Sequence, residues 1–461
     1  MSADGSPDRS QDRGRAPYSG YYNQPAAPVR DPLTETARGT PAGEYLRRFW
    51  HPFMMSIELE KLPKAVKLLS EDLVIFRDGS GRIGLLHKHC AHRGVSLEFG
   101  IVGQRGITCC YHGWRYDIDG TILETPAEPA NSRIKERFCQ GAYPVREVNG
   151  LIFAYLGPPE LMPELPVYDC YGYPNGNELV ATKMTVPCNW LQVHENACDP
   201  AHTTYLHAVV SGLQFERTFR ALPALDYVTT PLGFVAPATR RTKDMVFIRA
   251  NDLIMPNVLH VTSSKSLGIE ESFTISALLT RWAVPADDTT SYYIGCLHSN
   301  SISDPDGSRK FKRGAGLQRM NLIGQTDFRP YEERQREPGD YDAMVSPGPI
   351  ATRQAEHLAS SDAGVALYRR LLAQEIARVE RGEQPLYPKH RGPEPVRTYC
   401  YSASYPLNGV KMEGLDGLHA FGRAATDIVV GSTALAPAER AGLADLLKNA
   451  LDRAKATPLQ G

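Results

Sequence analysis

Residues 90–114 read CAHRGVSLEFGIVGQRGITCCYHGW. Cys90 and His92 open the stretch, and Cys109, Cys110 and His112 close it. Sixteen residues, four of them glycine, separate His92 from Cys109. On either side lie short apolar-alternating runs: KAVKLLS, LVIFRD and RIGLLH before it, WRYDIDG, AYPVREVNG and LIFAYLG after it. Asp-Gly, Asn-Gly and Gly-Ser turns bound them, a spacing that predicts a small all-β domain carrying two Cys/His loops.

Two chemistries use two Cys and two His. Zinc does so in a single tetrahedral site, but zinc fingers group Cys with Cys and His with His along the chain. Here each loop carries one of each. That arrangement suits a two-iron cluster of the Rieske type, with thiolates on one iron and imidazoles on the other. Gly94 and Gly113 directly follow the ligand loops, where backbone must approach a bulky cluster and offer N–H donors to sulfur. His87 and His89 fall outside the pattern and read as surface or supporting histidines.

A second constellation lies in NWLQVHENACDPAHTTYLH, residues 189–207. Asn189 reads as an N-cap, with helix to about residue 209. Asp199 and His202 are three apart and share a helix face. His202 and His207 are five apart, about 140° out of register on an ideal helix. For both to meet one metal, a bulge or helix end must lie between them, and Pro200 can contribute the distortion. Such π-type irregularities accompany functional sites. Zinc metalloproteases place His at i and i+4 instead. Two imidazoles with one carboxylate form the facial triad of non-haem Fe(II) oxygenases.

Together these residues resemble the Rieske non-haem iron oxygenases, large subunit. CAHRG…CCYHGW matches C-x-H, sixteen residues, then C-x-x-H-G-W, and Glu195, Asp199, His202 and His207 match E-x-x-x-D-x-x-H-x-x-x-x-H. The resemblance implies a Rieske [2Fe–2S] cluster on Cys90, His92, Cys109 and His112, with Cys110 left as a neighbour. It further implies mononuclear Fe(II) on His202 and His207, with Asp199 not a ligand but the electron bridge. His194 and Cys198 read as packing residues. EPGDYDAMVSPGPI, residues 337–350, resembles the phthalate dioxygenase-like branch, where a ligand Asp precedes Gly-Pro-Ile. Counting back from Gly348 favours Asp340 over Asp342.

The implied fold is α+β: an all-β Rieske domain, then a helix-grip-like catalytic domain with an antiparallel sheet and long helices. The expected division is a flexible N-terminal arm over 1–43, the Rieske domain over 44–160 and the catalytic domain over 161–461. Within it, PAGEYLRRFWHP (41–52) reads as a short helix, and ASSDAGVALYRRLLAQEIARVERG (359–382) as an amphipathic one with Val365, Tyr368, Leu372, Ile376 and Val379 on one face. Gly382 suits its stop. The tail, residues 436–456, reads as a second amphipathic helix, and 299–350 as long loops with short helices. Tyr18, Tyr21 and Tyr22 are candidate anchors for the arm.

Composition is consistent with this. The chain has 461 residues, 42% hydrophobic and 22% charged, with 51 Lys plus Arg against 52 Asp plus Glu, a formal net charge of -1. That balance offers no nucleic-acid footprint, and no apolar run reaches a membrane span. Nine cysteines, an odd number, point to a reducing cytoplasm rather than a disulfide framework. No dinucleotide fingerprint and no four-Cys plant-type cluster occur, so electrons must come from a separate NAD(P)H-dependent reductase or a ferredoxin. The resemblance implies a homotrimer or stacked trimers, with the Rieske centre of one subunit facing the iron of the next. The expected reaction joins O2 to an aromatic substrate, carboxylated or methoxylated, by hydroxylation or O-demethylation. The alternatives are cis-dihydroxylation of an arene, a Rieske electron-transfer protein without oxygenase activity, and a zinc-stabilised binding module.

Overall fold

A computed structural model describes Pro17 and residues 31–172, 177–210, 215, 217–262, 271–301, 329–388, 394–408 and 414–432, with short pieces of 442–453. Tyr18, Tyr21 and Tyr22, the segment 302–328 and most of the tail expected as helix lie outside the described residues.

The first half holds β1 (Trp50–Met55), β2 (Lys64–Leu68), β3 (Glu71–Arg77), β4 (Ile83–His87), β5 (Ile101–Val102), β6 (Ile107–Thr108), β7 (Arg115–Tyr116), β8 (Ile122–Glu124), β9 (Ala142–Tyr143), β10 (Val145–Val148) and β11 (Leu151–Tyr155). They pair into three antiparallel sheets, in the orders β1-β11-β10, β2-β3-β4-β9 and β5-β6-β7-β8. A compact core of Val74, Phe76, Leu86, Leu97, Ile107, Trp114 and Tyr116 lies beneath the two Cys/His loops and includes both Cys90 and Cys109. The helix expected over 41–52 is shorter. α1 (Pro41–Leu46) ends after six residues, and Trp50–Met55 is strand. Every residue of that strand is buried, so the alternation that marks a half-buried strand is missing.

The second half is built on one large antiparallel sheet. Its path runs through β12 (Glu178–Val186), β20 (Ser291–Ser299), β19 (Ala277–Pro285), β17 (Val258–Thr262), β16 (Met245–Ile254), β15 (Gly233–Thr242) and β13 (Ala224–Leu225). Off that path, β14 (Val228–Thr230) pairs β15, and β21 (Tyr401–Pro406) pairs β16 and β18 (Ser272–Thr274). Five helices matter here: α2 (Trp190–Cys198), α3 (His202–Tyr205), α4 (Asp340–Val345), α5 (Ala363–Glu380) and α6 (Gly414–Gly431). α2 packs on β19 and β20, and against α4 and α5, while α6 crosses β13 and β15. α5 buries Val365, Tyr368, Leu372, Ile376 and Val379, and Gly382 beyond it has φ +79°. One apolar core runs from Leu73 and Ile152 of the first half to Trp190, Phe234 and Tyr368 of the second. Among the described residues no helix is long and apolar enough to cross a membrane.

Candidate metal centres

The two Cys/His loops close in the same way. Cys90 N–H donates to Val95 O at 2.9 Å and Gly94 N–H to Cys90 O at 2.9 Å; Cys109 N–H donates to Trp114 O at 2.8 Å and Gly113 N–H to Cys109 O at 3.1 Å. Both glycines have left-handed backbone, φ +74° at Gly94 and +73° at Gly113, which a side chain disfavours. The repeat turns the Cys-x-His and Cys-x-x-His segments toward each other. Cys90 and Cys109 are buried at 4% and 3% exposure, and the Tyr116 hydroxyl lies 2.9 Å from Cys90 Sγ. Gln140 latches the first loop, accepting from Ala91 N–H at 2.7 Å and donating to His87 O and His89 O.

The imidazoles form the outer edge. His92 is exposed, His112 is half-buried, and their ring centroids are 4.6 Å apart. His92 also stacks flat on Trp114 at 4.6 Å. Cys110 is exposed, whereas Cys109 is enclosed. Burial pushes the Cys109 thiol up, while the backbone N–H groups of Tyr111 and His112 act to lower it. Those N–H groups are the donors a cluster sulfur needs. Two buried sulfurs below and two nitrogens at the rim fit a cluster with a thiolate edge and an imidazole edge.

His202, His207 and Asp340 converge. Asn189 starts the run: its side chain accepts from Leu191 N–H at 3.1 Å and donates to Thr34 O at 2.9 Å and Asp288 O at 2.7 Å. α2 ends at Cys198, Pro200 follows, and α3 begins at His202. A π turn over Leu206–Val210 comes next. The widened turn brings His207 onto the side of His202, with ring centroids 5.3 Å apart. Asp340, at the start of α4, places Oδ1 3.0 Å from His207 Nε2 and 3.5 Å from His202 Nε2. Asp342 turns away: it accepts from Arg334 Nε at 2.6 Å, Arg329 Nη2 at 3.1 Å and Gly339 N–H at 3.0 Å.

Asp199 sits behind His202 rather than among the three. Its Oδ2 is 3.7 Å from His202 Nδ1, and its backbone carbonyl meets the same nitrogen. That contact leaves Nε2 to point at Asp340. Burial works to lower the His202 pKa, but Asp199 and then Asp340 outweigh it and raise it. Glu195 is engaged by Arg369, with Nε at 2.6 Å and Nη2 at 2.9 Å from its two oxygens. His194 and Cys198 are fully enclosed packing residues, and His194 lies against the Tyr368 ring at 4.6 Å. Sequence reasoning did not single out Asn196, which donates to Asp340 Oδ1 at 3.3 Å. It also passed over Phe215, whose ring lies 4.6 Å from His207.

A family model described as the Rieske [2Fe–2S] domain matches residues 49–144. The chain is 44% identical over 397 residues to the tert-butanol monooxygenase / tert-amyl alcohol desaturase oxygenase subunit of Aquincola tertiaricarbonis, covering 82% of each. It is 37% identical over 382 residues to the phenoxybenzoate dioxygenase subunit alpha of Ectopseudomonas oleovorans, 80% of this chain and 89% of that one. The fold is similar to that of the NdmA QL mutant of Pseudomonas putida CBB5 solved with theobromine, with a TM-score of 0.55 at 22% identity over 74% of this chain and 94% of that one.

Proposed function

The chain belongs to the Rieske non-haem iron oxygenases as an oxygenase subunit, and from that premise we propose that it hydroxylates or O-demethylates an aromatic substrate with O2 and electrons from a separate reductase or ferredoxin. The observation that carries this reading is the convergence of His202, His207 and Asp340 within 4.8 Å. Two imidazoles and one carboxylate make a facial set that leaves positions free for O2 and substrate. Bound there, Fe(II) supplies O2 activation, and the [2Fe–2S] cluster supplies electrons one at a time.

The side chains have separable roles. Cys90 and Cys109 would hold one iron of the cluster and His92 and His112 the other, and the two imidazoles lie at the exposed edge of the loops. Asp199, 3.7 Å from His202 Nδ1, is the bridge that accepts such an N–H from the neighbouring subunit. That role requires a homotrimer or stacked trimers. Asn196 steadies Asp340 through its 3.3 Å hydrogen bond.

A second reading has its own support. The relative at 44% identity is named for tert-butanol and tert-amyl alcohol, which are aliphatic. One experiment separates the two. O2 uptake is measured on the iron-loaded protein with a surrogate reductase, against phthalates, methoxybenzoates, phenoxybenzoates and tert-butanol. Product masses are read in ¹⁸O2. Three irons and two labile sulfides per chain and uptake driven by an aromatic member are expected. Uptake driven by tert-butanol alone supports the second reading, and no substrate-dependent uptake defeats both. Asp199→Asn is expected to keep both metals yet lose coupled turnover by about 100-fold or more, since one charge-assisted hydrogen bond is removed from the transfer path. Full turnover in that variant would remove Asp199 from the bridge.

A further inference from the structure

We propose that a second small-molecule site lies at the junction of the two halves, apart from both candidate metal centres, and that it takes a single aromatic ring bearing a carboxylate. It is independent of the oxygenase reading, since no residue of the site belongs to either centre.

A cleft is walled by Arg48, Phe49 and Trp50 of the first half, by the connecting segment that ends at Tyr168, and by the β16–β17 turn and Trp282 of the second half. Tyr387 adds a further ring. Trp50, Tyr168 and Trp282 are buried, and existing contacts hold them in place. Trp50 Nε1 donates to Pro163 O at 2.8 Å. Tyr168 stands edge-on to His260 at 4.6 Å and lies 6.2 Å from Trp282. Asn257 Nδ2 donates to Ala283 O at 2.8 Å, which pins the β16–β17 turn to β19. The iron side of the sheet lies at the other end of β16. Phe247 reaches His207 through three ring contacts, with Phe219 at 5.5 Å, then Phe215 at 4.8 Å, then His207 at 4.6 Å. Ile254, which lines the cleft, follows Phe247 by seven residues on the same strand, about 23 Å away at roughly 3.3 Å per residue.

Size and chemistry choose the ligand. The cleft encloses about 810 Å³ including its open mouth, and about 70 Å³ of it can seat the centre of a water-sized sphere. One water needs roughly 10–15 Å³ by that measure, so the closed part holds about five waters, or about 150 Å³ of liquid, the size of cavity that takes one benzene ring. Aromatic walls favour a flat ring, which stacks or meets them edge-on. The polar partner is Arg48. Its Nε and Nη1 are shielded from solvent and have no hydrogen-bond partner, and no carboxylate pairs with it among the described residues. The acids nearby are otherwise placed. Glu164 is exposed at the rim, where water screens it. Glu44 and Glu380 border a separate hollow on the other side of Arg48, and Glu44 accepts from Gly39 N–H at 2.7 Å. A shielded guanidinium left without an acceptor is destabilising, and a carboxylate matches its fork of donors. An apolar cleft between two halves with one charged group to fix orientation is the usual form of a ligand site.

The test uses the full metal-loaded protein with benzoate, benzamide and cyclohexanecarboxylate as probes. Binding is measured by equilibrium dialysis, and the site is located by hydrogen–deuterium exchange. Benzoate is expected to bind saturably and to protect amides around 254–258 and 384–388. Benzamide, which lacks the charge, and cyclohexanecarboxylate, which lacks the flat ring, should both bind more weakly. Arg48→Gln should weaken benzoate by about 10- to 100-fold, the worth of one hydrogen bond to a charged group, and leave benzamide unchanged. Arg48→Lys should recover part of the loss. Cluster absorbance, iron content and thermal midpoint without ligand should match wild type in both variants, because Arg48 touches neither metal centre. The wild-type comparison of the three probes stands even if a variant fails to fold. Protection confined to residues 202–210 and 340–345 would place benzoate at the iron centre and overturn the second site. So would the absence of saturable binding, equal binding of benzoate and benzamide, or an Arg48→Gln variant that binds benzoate as wild type does.

Discussion

Cys109 and Cys110 are neighbours in the chain and opposites in the fold. The first points into the core beside Tyr116 and Cys90, and the second is exposed. Cys109→Ala is therefore expected to bleach the visible cluster spectrum, and Cys110→Ala to leave it intact; absorbance and labile-sulfide assays check both. The reverse pattern would reassign the ligand. Asp340 and Asp342 present the same choice two residues apart. Asp340 faces two imidazoles, while Asp342 neutralises Arg329 and Arg334 and caps α4 through Gly339 N–H. Asp340→Asn should lose most of the mononuclear iron and retain the cluster. Asp342→Asn should keep the iron and destabilise by about 2 kcal/mol, because two half-buried guanidinium groups lose their carboxylate. Iron counts and urea midpoints distinguish the two, and iron loss confined to Asp342→Asn would exchange their roles.

Within the elements, the start of α2 joins parts that are distant in sequence. Asn189 caps its own helix while donating to Thr34 and Asp288. Asn189→Ala removes three hydrogen bonds and strands two carbonyls, so a loss of about 2–4 kcal/mol is expected by urea denaturation. Asn189→Asp, which keeps the cap but not the donors, should fall between. An alanine variant within 0.5 kcal/mol of wild type would contradict this account. Asn189 was legible because a cap has a residue type and a place. So were the strand alternation and the Cys/His loops, and the five-residue step from His202 to His207 called for the irregular turn that Leu206–Val210 supplies. α6 was not legible. It carries Gly414, Gly417, Gly422 and Gly431, and a Cβ on Gly422 would stand 2.1 Å from Thr239 Oγ1. Gly422 lets the helix approach β15, a long-range need that no local signal carries. Asp340 was favoured over Asp342 only through the branch resemblance, and its approach to His202 and His207, far earlier in the chain, needed the fold.

Across the whole molecule, acid tolerance depends on buried histidines that belong to neither candidate metal site. His51 lies in β1, His194 in α2 and His298 in β20, and each is buried in the neutral form. Burial lowers His51 to about 4, His194 to about 3 and His298 to about 3. For His51 the Leu46 carbonyl opposes that shift, and for His298 the neighbouring His260 adds to it. In the unfolded chain each returns to about 6.5. The unfolded state therefore takes up protons first as pH falls, so stability rises with pH across this window. The contribution is complete above about pH 6.5 and is lost progressively toward pH 4 and below. By pH 5 each histidine should remove about 2 kcal/mol, together a large part of the stability of an ordinary domain. His194→Leu isolates one share, because its Nε2 has no hydrogen-bond partner among the described residues and its ring packs against Tyr368. Urea denaturation at pH 8, 6.5 and 5.5, with cluster absorbance followed to keep the samples equally loaded, should show the variant losing about one third less stability on acidification. Parallel losses in wild type and variant would place the acid sensitivity at the metal centres instead.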